Sequence, residues 1–432
     1  MRIAMYMPGL ATGSLSWEIY QEFALAIRQR GHHFELLTNA ARSVVRQTGD
    51  GGRAHDGERE RRELPGADYA AVRVLPLSKG WERLDRWTTS VHRTRSLLSS
   101  AAMLTRFLKE EPDIDLLYLE LAYPCGVAAR LATLASGWKG KLVVTPMGED
   151  ILVAEEVAFG FRRFLAPRVL VRRTLMSADG IRCISPLMSK TLDDLSVQTP
   201  RRLIPLTVAK QIETLAREDQ DTRARRRRAA REAIDRRYGT AGQKIILALG
   251  RVHPVKGLPV LVRCLVDLPG SQLLIGGPVS VTRRFGDMAE HLKHVAEIHG
   301  VGHRLQLLGS VPPDQIAQLL AAADVVAAPS YVEGMNRVCI EAAATGTPFV
   351  VTDTSGISSW VPDSGVGIVV RVGDVLSLTQ ALDTLLSGTW EWHADRAAEF
   401  VAQFSLERMS DVLCSFFDEV LAGGRGAAGT AR

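Results

Sequence analysis

The sequence predicts an α/β protein built from two successive parallel-sheet domains. Three observations carry this. Strand-length apolar runs alternate with helical ones from the first residue, a second series of the same kind begins near Lys244, and 432 residues exceed one ordinary core. In the first half, residues 2–7, 34–38, 116–121, 141–145 and 180–184 read as buried strands, with a helix over 16–30. Residues 40–100 are polar, Arg-rich and broken by Gly and Pro, so loops or an insertion with one or two helices are expected there. The second series runs from Lys244 through 272–275, 305–308, 324–328, 348–352 and 367–371. Apolar residues at helical spacing follow over 400–421, among them Phe404, Met409, Leu413, Phe416 and Phe417.

Composition excludes several classes. With 46% hydrophobic and 23% charged residues the chain reads as a soluble globular protein. Its longest apolar runs fall far short of the ~20 residues that span a bilayer. Pro8, Gly9 and Gly13 interrupt the apolar start, which suits a first buried strand better than a signal peptide. The five cysteines are scattered with no CxxC or Cys/His cluster, so neither a disulfide framework nor a zinc site is expected, and a reducing cytoplasm fits. His32 and His33 follow Gly31 at a helix end and read as a turn rather than a metal site. Asp113 and Asp115 have metal-ligand spacing, but they lead straight into a strand, and capping explains them better.

The net charge of +5 is modest and mostly local. Residues 223–228 (RARRRR) admit an anionic contact or a solvated helix countered by Glu218, Asp219, Asp221, Glu232 and Asp235, and the solvated helix is expected. No nucleic-acid partner follows. Residues 160–173 mix five arginines with Phe161, Phe164, Leu165, Val169 and Leu170, as a peripheral membrane contact would; a helix packed on a sheet, with Pro167 inside it, gives the same residues.

The chemistry concentrates in residues 329–348, PSYVEGMNRVCIEAAATGTP. Glu333 sits in a turn after an apolar strand and Glu341 on the helix that follows. Glu391, Glu399 and Glu407 share the eight-residue spacing but lie in a solvent-facing helical pattern. Open α/β sheets bind ligands at such strand-to-helix junctions, and a helix N-terminus favours phosphate. A turn carboxylate can also simply cap the helix. Upstream, residues 245–257 (IILALGRVHPVKG) place Arg251 and Lys256 on a loop after a strand, a planar fork and a compact charge suited to phosphate oxygens.

These segments resemble the retaining glycosyltransferases of the sucrose-synthase-like family 4, which use nucleotide sugars: 329–348 resembles that family's paired-glutamate motif, and 245–257 its strand with Arg and Lys. Residues 270–278 and 305–330 match the intervening elements in order, so the resemblance runs continuously over about 240–390 and only loosely before it. It implies a GT-B fold: two facing Rossmann-like domains with parallel sheets and a C-terminal helix crossing back to the N-terminal domain. The expected division is an acceptor domain 1–205, a linker with the basic helix 206–240, a nucleotide-sugar domain 241–395, a crossover helix 396–422 and a disordered tail 423–432.

The resemblance also implies roles. Arg251, Lys256 and Glu333 would be catalytic, the cations holding the departing diphosphate and Glu333 the hydroxyls of the transferred sugar. Glu341 would accept the ribose hydroxyls, and amides of Gly334, Met335 and Asn336 would meet the phosphates or sugar. Gly13 and Ser14 would add amides from the first loop. No metal and no cofactor are expected. Met335 and Asn336 stand where members often have Phe-Gly, and Met147 stands where many have a His. Met cannot move a proton, so the leaving phosphate would take the acceptor's, with Glu149 and Asp150 as exposed polar groups on the acceptor side. The expected function is retaining, metal-independent transfer from a nucleotide-diphosphate sugar, a UDP-sugar by family frequency, to a carbohydrate, lipid-linked or small-molecule acceptor. The expected place is the cytoplasm; peripheral contact at the inner membrane face through 160–173 is the alternative to a helix packed on a sheet, which is the favoured reading of that stretch. The alternatives are a catalytically degenerate nucleotide-sugar binder, an epimerase or phosphorylase on the same fold, and a metal-dependent transferase using Asp113 and Asp115.

Overall fold

The computed structural model describes residues 1–8, 15–39, 71–75, 77–94 and 96–423, which form two compact units. The first comprises Met1–Val153, Gly160–Pro205 and the chain from Leu406; the second comprises Ala154–Phe159 and Leu206–Ser405. The first contains β1 (Arg2–Tyr6), β2 (His33–Thr38), β3 (Ala71–Val74), β4 (Leu116–Glu120), β5 (Lys141–Thr145), β6 (Gly180–Cys183) and β7 (Arg201–Leu203). They make a 7-stranded parallel sheet in the order β3-β2-β1-β4-β5-β6-β7. Ile3 to Tyr6 and Leu116 to Glu120 are buried throughout, as strands covered on both faces must be. β3 and β7 lie outside the expected strands. Both are short sheet edges, and β7 carries two arginines that hide its period.

The second unit contains β8 (Lys244–Leu249), β9 (Ser271–Gly276), the hairpin β10 (Val281–Thr282) and β11 (Gly286–Asp287), β12 (Leu305–Gly309), β13 (Val325–Ala328), β14 (Phe349–Thr352) and β15 (Gly367–Val370). Its 6-stranded parallel sheet runs β12-β9-β8-β13-β14-β15. Strand order reverses between β8 and β13, so the loops leaving these two strands diverge and open a crevice at the sheet's C-terminal edge. In the first unit the same reversal falls between β1 and β4. The loop after β1 carries Gly13 and Ser14, which lie outside the described residues, as do residues 40–70 and the tail from 424.

The C-terminal segment is two helices rather than one. Ala394–Ala402 belongs to the second unit, where Phe400 packs on Phe349 and Phe404 at 6.0 and 5.2 Å between ring centroids. After Ser405, Leu406–Leu421 belongs to the first, where Met409, Leu413, Phe416 and Phe417 join Ile3, Met5 and Tyr118 in its core.

The basic helix Gln220–Tyr238 corrects the solvated reading. Arg226 donates to the Thr345 carbonyl, and Arg227 to the Gly346 and Ala323 carbonyls and the Thr347 hydroxyl, at 2.8 to 3.2 Å. Arg231 bonds the Asp324 carboxylate at 2.8 Å. These guanidiniums satisfy carbonyls at the ends of the helices Pro313–Ala322 and Arg337–Thr345, where the helix dipole favours a cation. Arg225 and Arg228 remain exposed.

Candidate functional site

The crevice of the second unit is lined by Ala248 to Arg251, Lys256 and Leu258 from the β8 side, Ala327 to Ser330 and Asn336 from the β13 side, and Ile275 of β9, around about 290 Å³ of empty space. The local backbone explains why these loops meet. Val255 accepts from the Tyr331 amide at 2.7 Å, tying the turn that carries Lys256 to the segment that carries Glu333. Gly257 has φ +64°, and a Cβ there would overlap the Pro329 carbonyl oxygen. Only glycine meets both demands. Gly257→Ala is therefore expected to cost at least about 2 kcal/mol of stability, measured by denaturant unfolding, since strain and overlap act together.

The Lys256 ammonium contacts the Glu333 carboxylate at 2.5 Å, both side chains being partly buried. Glu333 is held from behind: its amide donates to Thr354 and its carbonyl accepts from Gly356 at 2.9 Å. Its carboxylate does not cap the following helix. Arg337–Thr345 starts at Asn336 with no side-chain cap, leaving the positive helix end beside the crevice that Asn336 lines. Gly334, Met335 and Asn336 are buried. Arg251 lines the crevice from the opposite loop.

Glu341 is 5% exposed on that helix and accepts no hydrogen bond among the described residues. Burial pushes its carboxyl above the ordinary glutamate range, and only Arg337 opposes it. A buried carboxylate without donors is costly and calls for an explanation. Glu341 is not among the residues lining the crevice, but its charge, like those of Lys256 and Glu333, acts on the buried thiol of Cys339. Lys256 and Glu333 meet ahead of the helix that carries Glu341 at its middle.

Two residues here were not singled out by sequence. Ser330 lines the crevice, its buried hydroxyl has no partner among the described residues, and its carbonyl is fixed by the Thr352 hydroxyl at 2.6 Å. Its signal was its place in the PSYVEG run. His253 caps the turn before Lys256, and its ring meets that of Phe159 at 5.9 Å. Burial, with Arg251 and Lys256 adding, lowers His253 to about 4, so it is neutral near pH 7.

The first unit corrects one acceptor-side expectation. Asp150 is not exposed: it is fully buried and accepts the amides of Ala122, Met147 and Gly148 at 2.6, 3.0 and 2.7 Å. Burial raises its carboxyl despite these donors. It organises the loops after β4 and β5. Glu149 is exposed and Met147 half-buried. Asp113 pairs with Arg2, and Asp115 accepts the Arg2 amide at 2.7 Å, which is strand entry. Among the described residues no group of three or more His, Cys, Asp or Glu could hold a metal ion.

Comparison with known proteins extends this. Residues 230–400 match the family "Glycosyl transferases group 1", and residues 17–207 match "Glycosyl transferase 4-like domain". A D-inositol 3-phosphate glycosyltransferase of Nocardia farcinica is 37% identical over 152 residues, 34% of this chain and 33% of its own length. One from Mycobacteroides abscessus is 32% identical over 42% of this chain and 41% of its own. The matches thus span well under half of these relatives. Among solved structures, a sucrose-phosphate synthase from Thermosynechococcus elongatus superposes with a TM-score of 0.73 at 19% identity, covering 98% of this chain and 99% of that one. Anabaena HepE in complex with UDP gives 0.69 at 17%, over 97% and 100%. These likenesses show the fold. With both domains matched in order along a two-Rossmann chain, this protein belongs to the family 4 glycosyltransferases of GT-B fold.

Proposed function

We infer that the protein is a retaining hexosyltransferase using a nucleotide-diphosphate sugar, a UDP-sugar as first choice, and needing neither metal nor cofactor. The observation that carries this is the buried, donor-free carboxylate of Glu341 behind a switch-point crevice lined by Arg251 and Lys256. Carboxylate oxygens accept two ribose hydroxyls, the cations and the uncapped helix start receive the diphosphate, and Glu333 meets the sugar hydroxyls. As the anomeric C–O bond to the diphosphate breaks, charge grows on phosphate oxygens already facing fixed cations, which lowers the barrier. The acceptor hydroxyl attacks the same face, its proton passes to the departing phosphate, and configuration is retained. A base at Met147 is then unnecessary.

Gly13 and Ser14 are assigned amides for the diphosphate, and Glu149 the acceptor side. The acceptor is a carbohydrate, a lipid-linked sugar or a small molecule; a polyol phosphate, after the names of the relatives above, is one arm of the test. Residues 160–173 are proposed as a peripheral membrane contact. The test is product analysis with a panel of UDP-sugars, with and without acceptor and chelator. Retained-anomer transfer or hydrolysis that survives chelation supports the reading. Isomerised donor would mean an epimerase, sugar phosphate a phosphorylase, and tight binding without turnover a binding protein.

A further inference from the structure

The first unit carries an outer surface that the transfer chemistry does not use. On the helix Lys79–His92, Trp81, Leu84, Trp87 and Val91 are exposed at three- and four-residue spacing, Trp87 to 87% and Val91 to 62%. Its inner side is pinned: buried Asp85 accepts the Leu98 and Ser99 amides at 2.8 Å, capping the helix Leu97–Glu110. Trp87, two residues on, is turned to the opposite side. The helix Leu165–Ser177 touches this helix, and the Arg93 guanidinium lies 4.5 Å over the Phe164 ring, joining the end of one to the start of the other. Leu165, 75% exposed, and Val169 and Met176 share its outer face with Arg168, Arg172 and Arg173. Residues 160–177 contain no acid.

We propose that these two helices form one platform that seats the first unit on an anionic lipid surface, with Trp87 and Leu165 entering the headgroup boundary. This extends the contact assigned to residues 160–173 and does not depend on the enzyme's donor, acceptor or turnover. Apolar tips on a polar helix, tryptophans among them, suit the interface, and arginines can lay their stems there with their charges at the phosphates. The arginines select the lipid over a second copy of the chain, because a symmetric pairing of this face would oppose cation to cation.

The test is sedimentation of the full chain, without donor or acceptor, with phosphatidylcholine vesicles and with vesicles containing about one-third phosphatidylglycerol. Binding is expected to the anionic vesicles only and to weaken with salt. Trp87→Glu is expected to weaken it at least about tenfold by removing buried apolar area. Arg168→Glu/Arg172→Glu/Arg173→Glu is expected to weaken it at least about a hundredfold, each lost cation contributing about fivefold and each added carboxylate repelling the surface further. Arg225→Glu/Arg228→Glu, on the basic helix of the second unit, should leave it unchanged. The triple variant keeps the test open should Trp87→Glu fail to fold, each variant being checked by its thermal midpoint. Equal binding to both vesicles, loss of binding in the Arg225/Arg228 control, or a dimer that Trp87→Glu dissolves without any vesicle binding would each overturn the proposal. Donor hydrolysis in solution should be intact in every variant, which separates failure here from failure of the transferase reading.

Discussion

Glu333→Gln and Lys256→Ala are each expected to lower turnover of a UDP-sugar by about a hundredfold to a thousandfold, the range seen when one preorganised electrostatic contact to a developing charge is removed. The amide keeps the shape of Glu333 but loses its charge, which turns the 2.5 Å ion pair with the Lys256 ammonium into a weaker neutral-acceptor hydrogen bond. Lys256→Ala deletes the cation nearest the Glu333 carboxylate, leaving a partly buried acid beside the departing diphosphate. Because the two side chains touch, their effects should not add. The double variant is expected to fall no more than about tenfold below the worse single one, which steady-state donor hydrolysis measures directly. An unchanged rate for Lys256→Ala would remove the lysine from the chemistry, and strict additivity would mean that the pair acts at separate places.

Glu341→Gln is expected to separate stability from binding. In the ligand-free protein the acid is buried without a donor, and burial holds its proton on to a higher pH than in the unfolded chain. Its contribution to stability is therefore fully present below the ordinary glutamate pKa and is lost as pH rises through the raised folded value. The neutral amide removes that loss, so the variant should melt higher than the parent at neutral pH, and the gap should close in acid. Nucleotide affinity should move the other way. Losing hydrogen bonds from ribose hydroxyls to a charged group costs about 1.5–3 kcal/mol, roughly ten- to a hundredfold in Kd. Ribose donors favour the ionised acid, so at a pH where the free protein keeps the proton on Glu341, binding should release it, detectable as a buffer-dependent heat. A variant that both melts lower and binds equally well would show Glu341 to be structural.

How far this was legible in the sequence follows from the range of the interactions involved. β1, β5 and β13 are short apolar runs whose burial is written locally, and they stand within a residue or two of where the runs placed them. The loop residues of the crevice were legible because strand, turn glycine and helix occur in one continuous stretch. What the sequence hid is set by distant partners. The carbonyls that engage Arg226 and Arg227 lie 119 residues away, so these cations looked solvated. Asp150 looked exposed because its run is polar, yet one of its amide donors, Ala122, lies 28 residues earlier. The turn at Ser405 between the last two helices interrupts a run that helical spacing alone reads as continuous. The platform on Lys79–His92 lay in a stretch whose polarity masked a three- and four-residue apolar stripe.

The central claim is that the second unit holds a nucleoside diphosphate between Arg251, Lys256 and the start of the Arg337–Thr345 helix, with Glu341 on the ribose. Titration calorimetry of UDP against UMP, on the parent chain and on Arg251→Ala, Lys256→Ala and Glu341→Gln, tests it most directly. The account predicts that UDP binds the parent at least about tenfold more tightly than UMP, that both alanine variants erase most of that difference, and that Glu341→Gln weakens UDP and UMP alike. UDP and UMP binding equally, or a UDP preference that survives both alanine substitutions, would contradict it.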